Sequence, residues 1–466
     1  MRLYNTLTRQ VEEFQPIEKD CLKLYTCGPT VYSYYHVGNL RNAVFNDTLR
    51  RALEASGYSV KHVMNITDVG HLTGDSDDGQ DKLEKGAAVE RKSVSQVAEF
   101  YTDAFKRDIS ELNILPPNGY KGSLDTYARA TSFISQQIEI IKILLQKGFA
   151  YQTDQAIYFD TTKLIDYGKL AGQRLADKEV GARPEVITDS QKHHPQDFAV
   201  WFFTVGHFAG HSMKWSTPWG EGFPGWHLEC SAIIHATLGD PIDIHTGAVD
   251  LIGTHHTNEI AQTEAAFGHR LANYWLHNEY LLIDNQRMAK SAANFYTLAD
   301  IKSRGYDPLA LRLLFLQAHY RSQMNFTWES LGAVQTFLKQ LQAWADLVHQ
   351  PGAAEVIGQS EAEQLIKSVL AALDDDLNSA QGLAHLSKAI DKGAPNSELL
   401  NELDRILGLK LGERADISDD QKKLIKQRET ARQSGDWDQS DQLREQLKTL
   451  GIEIKDTPEG SIWMRA

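Results

Sequence analysis

The sequence predicts a mosaic α/β protein: a parallel-sheet domain carrying an inserted connective domain, then an α-helical bundle, then a small mixed α/β C-terminal module. Three observations lead there. At 466 residues the chain exceeds one ordinary core, and roughly 150 residues per domain gives about three. Strand-like and helix-like patterns alternate through the first hundred residues, as parallel sheets require. From about residue 330 onward the apolar spacing is helical.

Composition narrows the class. Hydrophobic residues make up 42% and charged residues 24%, with 17 Phe, 17 Tyr and 9 Trp, the balance of a well-packed soluble protein. The start, Met1-Arg2-Leu3-Tyr4-Asn5, has no apolar stretch, and the run Leu309 to Leu316 is interrupted by Arg312, so neither secretion nor membrane association is expected. Three cysteines, Cys21, Cys27 and Cys230, form no CxxC pair. A cytoplasmic protein without a disulfide framework is the expectation. A formal net charge of −14 argues against indiscriminate nucleic-acid binding, so any RNA site must be local. Lys422, Lys423, Lys426, Arg428 and Arg432 offer such a patch, or simply a solvated helix face.

The elements follow in order. Leu22 to Cys27 reads as a strand broken by Gly28-Pro29. After His36-Val37-Gly38-Asn39 comes an amphipathic helix with Leu40, Val44, Leu49 and Leu53 on its apolar face, closed by Gly57. Ser59 to Thr67 is a second strand. Strand, helix and strand form a βαβ unit, which places ligands at the carboxyl ends of the strands. Residues 113–210 read as the insertion, with a helix over Tyr127 to Lys147 and a strand at Ala156-Ile157-Tyr158-Phe159; sheet-like motifs resume near Trp226. Ser360 with Glu363 predicts a capped helix bearing Leu365, Ile366, Val369, Leu370 and Leu373. Linkers fall at 350–354 and 412–418, followed by helices from Ser418 to Arg432 and Trp437 to Leu450, then two strands around 456–460. The expected segments are 1–112, 113–210, 211–285, 286–330, 331–410 and 411–466.

Three constellations carry chemistry. His36-Val37-Gly38-Asn39 stands where a strand gives way to a helix, so the helix N-terminus could receive phosphate; alone, the tetrapeptide fits a capped helix with a surface histidine better. Arg287-Met288-Ala289-Lys290-Ser291 could neutralise triphosphate charge, although an isolated basic loop is more often solvated surface. Cys27, Cys230, His255 and Glu259 suit zinc, since positions i and i+4 share a helix face. Buried small thiols and a satisfied core histidine explain the same residues equally well.

Longer segments supply context: Leu3-Tyr4-Asn5-Thr6-Leu7-Thr8, Tyr25-Thr26-Cys27-Gly28-Pro29-Thr30-Val31-Tyr32, Asn65-Ile66-Thr67-Asp68, Trp226-His227-Leu228-Glu229-Cys230-Ser231-Ala232, and His255-His256-Thr257-Asn258-Glu259-Ile260-Ala261-Gln262. His319-Tyr320-Arg321-Ser322, Asp374-Asp375-Asp376-Leu377-Asn378 and Gly435-Asp436-Trp437 follow. Through these the chain resembles, over essentially its whole length, the cysteinyl-tRNA synthetases, a family of class I aminoacyl-tRNA synthetases with a Rossmann-type catalytic domain. It departs from the family at the HIGH motif, which ends in Asn39, and at the KMSKS loop, which has Arg287 and Ala289 and continues Ser291-Ala292-Ala293-Asn294. The approach to His255 also differs, reading His245-Thr246-Gly247-Ala248-Val249-Asp250-Leu251-Ile252-Gly253-Thr254.

The resemblance implies a ligase that activates L-cysteine with ATP and Mg²⁺ and transfers it to tRNA(Cys). It implies ATP contacts at His36, Gly38, Asn39, Met288 and Lys290, with His36, Asn39, Arg287 and Lys290 catalytic. One Zn²⁺ per chain is implied on Cys27, Cys230, His255 and Glu259, in a substrate pocket of Gly28, Thr30, Thr67, Trp226 and Asp250. Anticodon contacts are implied at Arg432, Trp437, Asp441 and Asp456, with Trp437 as readily a core anchor of the C-terminal module. His193, His194 and His227 stand either behind the ligands or in surface and core positions. Other readings are a cysteine ligase acting on an amino sugar, a silent paralogue that binds RNA, and a purely structural zinc. A monomer is expected.

Overall fold

The computed structural model describes residues 1–72, 80–122, 125–172, 189–288, 294–352, 354–457 and 460–465. Ala289, Lys290 and Ser291, together with Ala292 and Ala293, lie outside them. Two compact units are present, Met1–Asp300 with Tyr320–Asn325, and Ile301–His319 with Phe326–Ala466. No described helix is long and apolar enough to cross a membrane.

The first unit is organised by a five-stranded sheet. Its elements are β1 (Leu22–Thr26), α1 (Val37–Ala55), β2 (Val60–Ile66), β3 (Ala128–Arg129), α2 (Trp226–Thr237), β4 (Ile242–Ala248), α3 (Thr257–Phe267) and β5 (Ala272–Asn278). The spatial order is β5-β4-β1-β2-β3, and every neighbouring pair is parallel. The order reverses between β1 and β4, where an open parallel sheet presents a crevice at its carboxyl edge. Tyr25, Val63, Ile233, Ile242, Ile260 and Trp275 are buried against one another beneath that edge. Each such side chain contributes on the order of 2 kcal/mol through burial.

Helix α1 differs from the expected amphipathic helix. Leu40, Val44, Leu49 and Leu53 are buried, but so are Arg41, Asp47, Arg50 and Arg51. Arg51 pairs with Asp47 at 2.7 Å. The Arg50 and Arg51 guanidiniums donate to the carbonyls of Pro116 and Asn113, and Arg41 donates to those of Glu279 and Tyr280. Charges satisfied in this way can sit inside. Gly57 has φ +92°, the left-handed stop expected of it.

The inserted sheet is antiparallel, in the order Ala150–Gln152, Ala156–Phe159, Phe198–Phe203, Gly220–Pro224, Trp215–Thr217. It reaches Pro224 because Gly222 to Pro224 pair with Trp201 to Phe203, beyond the expected limit at 210. Within the expected insertion, Ala128 and Arg129 pair with Asn65 and Ile66 and so extend the parallel sheet. The expected helix from Tyr127 therefore starts only at Ile134 and ends at Gln146.

In the second unit, helices Trp328–Asp346, Gln359–Asp374, Ser379–Ile390 and Ser397–Leu407 precede the terminal module. The helix expected to be capped by Ser360 begins two residues earlier, with Gly358 as N-cap and no side-chain cap. The module itself comprises helices Asp419–Gln433 and Trp437–Thr449 and the hairpin Ile452–Thr457 with Gly460–Arg465. Its core is Ile417, Ile425, Leu447, Ile452, Ile454 and Trp463. Trp437 is 61% exposed, so Trp463, not Trp437, anchors the core.

The basic run is not a free cationic face. Lys422 pairs with Asp416, and Lys423 with Asp420. Arg428, buried, grips Asp456 through two bonds of 2.7 and 2.8 Å, and Arg432 adds a third at 2.7 Å. Hydrogen bonds from Arg428, ahead of the other contacts, hold the Asp456 carboxyl at about 2. A depressed folded-state value stabilises the module above the ordinary carboxylate range, and that stabilisation is lost as pH falls from about 4 toward 2. Asp456→Asn should cost about 2 kcal/mol in denaturant unfolding at pH 7 and remove this acid-sensitive component; an unchanged acid limb would contradict the assignment.

Candidate active site

Four segments meet at the carboxyl edge of the sheet. Cys27 follows β1, Cys230 lies in the second turn of α2, Glu259 lies in α3, and His255 lies in a π-helical turn, Ile252–His256, that leads into α3. Such a turn is common where a helix must aim functional side chains. One ligand atom from each of the four lies within 4.8 Å of every other. Cys230 Sγ is 3.5 Å from His255 Nε2. Glu259 Oε1 stands 2.8 Å from the same nitrogen, but off the axis of a hydrogen bond. Donor atoms that converge on a common point are what a metal-binding set requires, and two thiols, an imidazole and a carboxylate suit zinc.

Charge is shared unevenly within the set: burial, then Cys27 and Glu259, push the Cys230 thiol well above its usual value. Burial raises the Cys27 thiol, but hydrogen bonding with Cys230 and then His255 overrides it and brings Cys27 to about 6. Burial likewise opposes charge on His255 and Glu259, yet His255 is held at about 10, chiefly by Glu259, and Glu259 at about 2, chiefly by His245.

Several contributors escaped the sequence reading. Glu259 Oε2 lies 2.7 Å from His245 Nε2, and Cys27 Sγ lies 3.3 Å from His256 Nε2. His256 continues to His277 at 2.8 Å, and His277 to the Thr6 hydroxyl at 2.8 Å. Cys27, His245, His256 and Glu259 also cluster within 4.8 Å, so two rings brace the shared Cys27 and Glu259 side chains from behind. Of the three histidines left open, His227 is buried with Nδ1 3.1 Å from His255 Nδ1. His193 instead stacks on Tyr151, and the His194 backbone amide binds Asp197. Glu229 is buried against the Thr67 hydroxyl, and its Oε2 has no protein hydrogen-bond partner. Only the presence of histidines in the motifs around residues 245 and 255 hinted at this network, since its partners come from distant segments.

The implied pocket residues divide. Gly28 is required for packing, because a Cβ there would overlap the Asn65 carbonyl oxygen; its amide also binds the Asn65 side chain at 2.8 Å. Thr30 and Thr67 are bridged, and Trp226 stacks on His255 at 4.3 Å. Asp250 is exposed, in the turn after β4.

At the start of α1, His36 Nδ1 accepts from the amides of Gly38 and Asn39, while the Asn39 side chain accepts from the His36 amide. The Val37 amide binds the Tyr296 carbonyl, and the Leu40 amide the His36 carbonyl. All four leading amides are therefore engaged, contrary to the expectation of a helix end open to phosphate. With Nδ1 accepting, a neutral His36 ring carries its proton on Nε2, and the helix dipole favours an anion at this end. Met288 closes over Gly38, whose Cβ would strike its methyl group. Arg287 is exposed beside the Tyr280 ring.

Residues 13–336 match the model of the class I (C) tRNA synthetase catalytic domain, and residues 414–463 match that of the cysteinyl-tRNA ligase anticodon binding domain. The chain is 43% identical to cysteine–tRNA ligase 1 of Burkholderia lata, across 99% of this chain and 96% of that one. It belongs to the cysteine–tRNA ligase family. A second relative of that family, from Treponema denticola, is 40% identical across 100% and 99% of the two chains. Among solved structures, Agrobacterium radiobacter LeuRS is similar with a TM-score of 0.61 at 11% identity, covering 86% of each chain. Mycobacterium tuberculosis methionyl-tRNA synthetase matches with a TM-score of 0.56 at 13% identity, covering 84% and 89%. These two share the fold, whereas the cysteine–tRNA ligase family is set by the sequence matches.

Thr67→Val would leave the buried Glu229 without its hydroxyl donor. It should cost about 2 kcal/mol in denaturant unfolding, whereas Thr67→Ser should be nearly neutral; equal behaviour of the two would dismiss the contact.

Proposed function

We propose that this chain is a cysteine–tRNA ligase that forms cysteinyl-adenylate and charges tRNA(Cys). The observation that carries the proposal is the meeting of two thiols, an imidazole and a carboxylate at the strand-order reversal, where the chain leaves β1 for the His36 helix start. In the first step a cysteine carboxylate oxygen bonds to the α-phosphorus of ATP, supplied as its Mg²⁺ complex, and the α–β bridging bond breaks to release pyrophosphate. In the second, a hydroxyl of the terminal tRNA ribose attacks the adenylate carbonyl and AMP leaves.

His36, capped on its own helix, presents Nε2 toward the nucleotide, with Gly38 and Asn39 setting the close approach and Met288 covering it. Arg287 and Lys290 neutralise the departing pyrophosphate. Thr67 and Trp226 shape the amino-acid pocket, Gly28 and Thr30 form its β1 side, and Asp250 stands at its edge. Zinc held by Cys27, Cys230, His255 and Glu259 would supply a soft Lewis acid that prefers a thiolate to a hydroxyl, a discrimination against serine that shape alone gives weakly. The tRNA-binding tail favours tRNA over an amino sugar as acceptor. Within it, Arg432, Trp437, Asp441 and Asp456 read the anticodon, with the exposed Trp437 ring available for stacking on a base.

Charging of tRNA(Cys) with labelled cysteine, with serine as competitor, tests the whole reading; a folded protein that charges neither would refute it. Lys290→Ala should lower adenylate formation by orders of magnitude. Zinc content should be near one per chain and lost in Cys230→Ser, and tight zinc retained by that variant would remove Cys230 from the ligand set. Trp437→Ala should depress charging while leaving cysteine-dependent pyrophosphate exchange intact.

A further inference from the structure

A second set of side chains adjoins the pocket from the segment after β2, and none of the roles above uses it. The buried His71 ring lies on Trp226 with centroids 3.9 Å apart and 11° between the planes, and Trp226 in turn stacks on His255. Both nitrogens of His71 are engaged: Nε2 is 2.6 Å from Lys82 Nζ, and Nδ1 is 2.6 Å from Thr30 Oγ1.

The direction of these bonds follows from chemistry. An ammonium group can only donate, so Nε2 accepts and the ring proton sits on Nδ1. Nδ1 therefore donates to the Thr30 oxygen, and the hydroxyl's own hydrogen is left to point elsewhere. Burial, and next the Lys82 charge, hold His71 well below its usual value, in keeping with a neutral ring.

The arrangement is braced by backbone contacts. The Lys82 amide binds the His71 carbonyl at 2.8 Å. Asp81 accepts from the Gly70 amide at 2.9 Å and caps helix Lys82–Glu90 through the Leu83 amide at 2.8 Å. The Lys82 backbone is thus fixed beside His71 by the helix start, and its ammonium reaches Nε2 from there.

We propose that Lys82, His71 and Thr30 form a hydrogen-bonded relay that fixes the face of Trp226 toward the amino-acid pocket and turns the Thr30 hydroxyl into a donor for the carboxylate of the bound amino acid. His71 and Lys82 are positioning residues; Thr30 is the group that touches substrate. This rests on reading the site as a cysteine pocket.

The test is cysteine-dependent ATP–pyrophosphate exchange by the full chain, with zinc content measured on every preparation. Exchange by the unaltered protein with cysteine but not serine upholds the pocket reading, and its absence overturns that reading and the relay with it. Given exchange, His71→Ala should raise the KM for cysteine about tenfold or more, leaving the KM for ATP within about twofold and zinc near one per chain. His71→Asn, which keeps a donor toward Thr30, should recover part of that loss. Lys82→Met, a change at a partly exposed position, should raise the cysteine KM in the same direction and serves if His71→Ala does not fold. An unchanged cysteine KM in these variants, or cysteine and ATP KM rising together with loss of zinc, would overturn the relay while leaving the function standing.

Discussion

A carboxylate that water does not reach must be surrounded by partners, because an isolated buried charge is far costlier than a paired one. Glu259, fully buried, is that carboxylate. One oxygen needs His245 on β4 and the other faces His255 in the π turn. Bringing Cys27 to the same point requires β1 beside β4, an arrangement that β1–β4 pairing provides. It also requires the chain after Cys27 to lie flat on the end of β2, which only a residue without a side chain at position 28 permits. Even the N-terminal segment is drawn in, since Thr6 ends the chain of contacts that runs through His277 and His256 to Cys27. The sheet order, the π turn and the tight loop are thus tied to one buried charge and its neighbours.

What could be read in advance depended on sequence distance. The strand, turn and helix at the start, and the helix pair with its hairpin at the end, have local periodicity and local breaks, and their limits moved by only a residue or two. The four candidate ligands stand out in the sequence by residue type and by resemblance, and the structure adds their convergence. The buried arginines of α1 were not legible, because the carbonyls that satisfy them lie at Asn113, Pro116, Glu279 and Tyr280. The two-residue strand Ala128–Arg129 has too short a pattern to be seen in the sequence, although it extends the parallel sheet from within residues 113–210. The engagement of every leading amide of α1 depends in part on Tyr296, far along the chain, and no pattern around His36 announces it.

Fold and chemistry sit on different parts of the molecule. The parallel sheet provides a crevice at its carboxyl edge. The chemistry of that edge falls to a few side chains. Trp226 sits between these levels: it begins α2, and its ring touches both His255 and His71, so the packing of a helix start and the shape of a pocket are set by one residue.

The triad at the C-terminal module has a further consequence. Asp456 is gripped by two guanidiniums, one sealed in the core and the other near the surface beside the exposed Trp437 ring. Arg428 cannot leave without emptying a buried position, but Arg432 can swing away with Asp456 still neutralised behind it. The module therefore holds one cation in reserve, parked on an internal counter-ion and transferable to an external one at little cost to its own architecture.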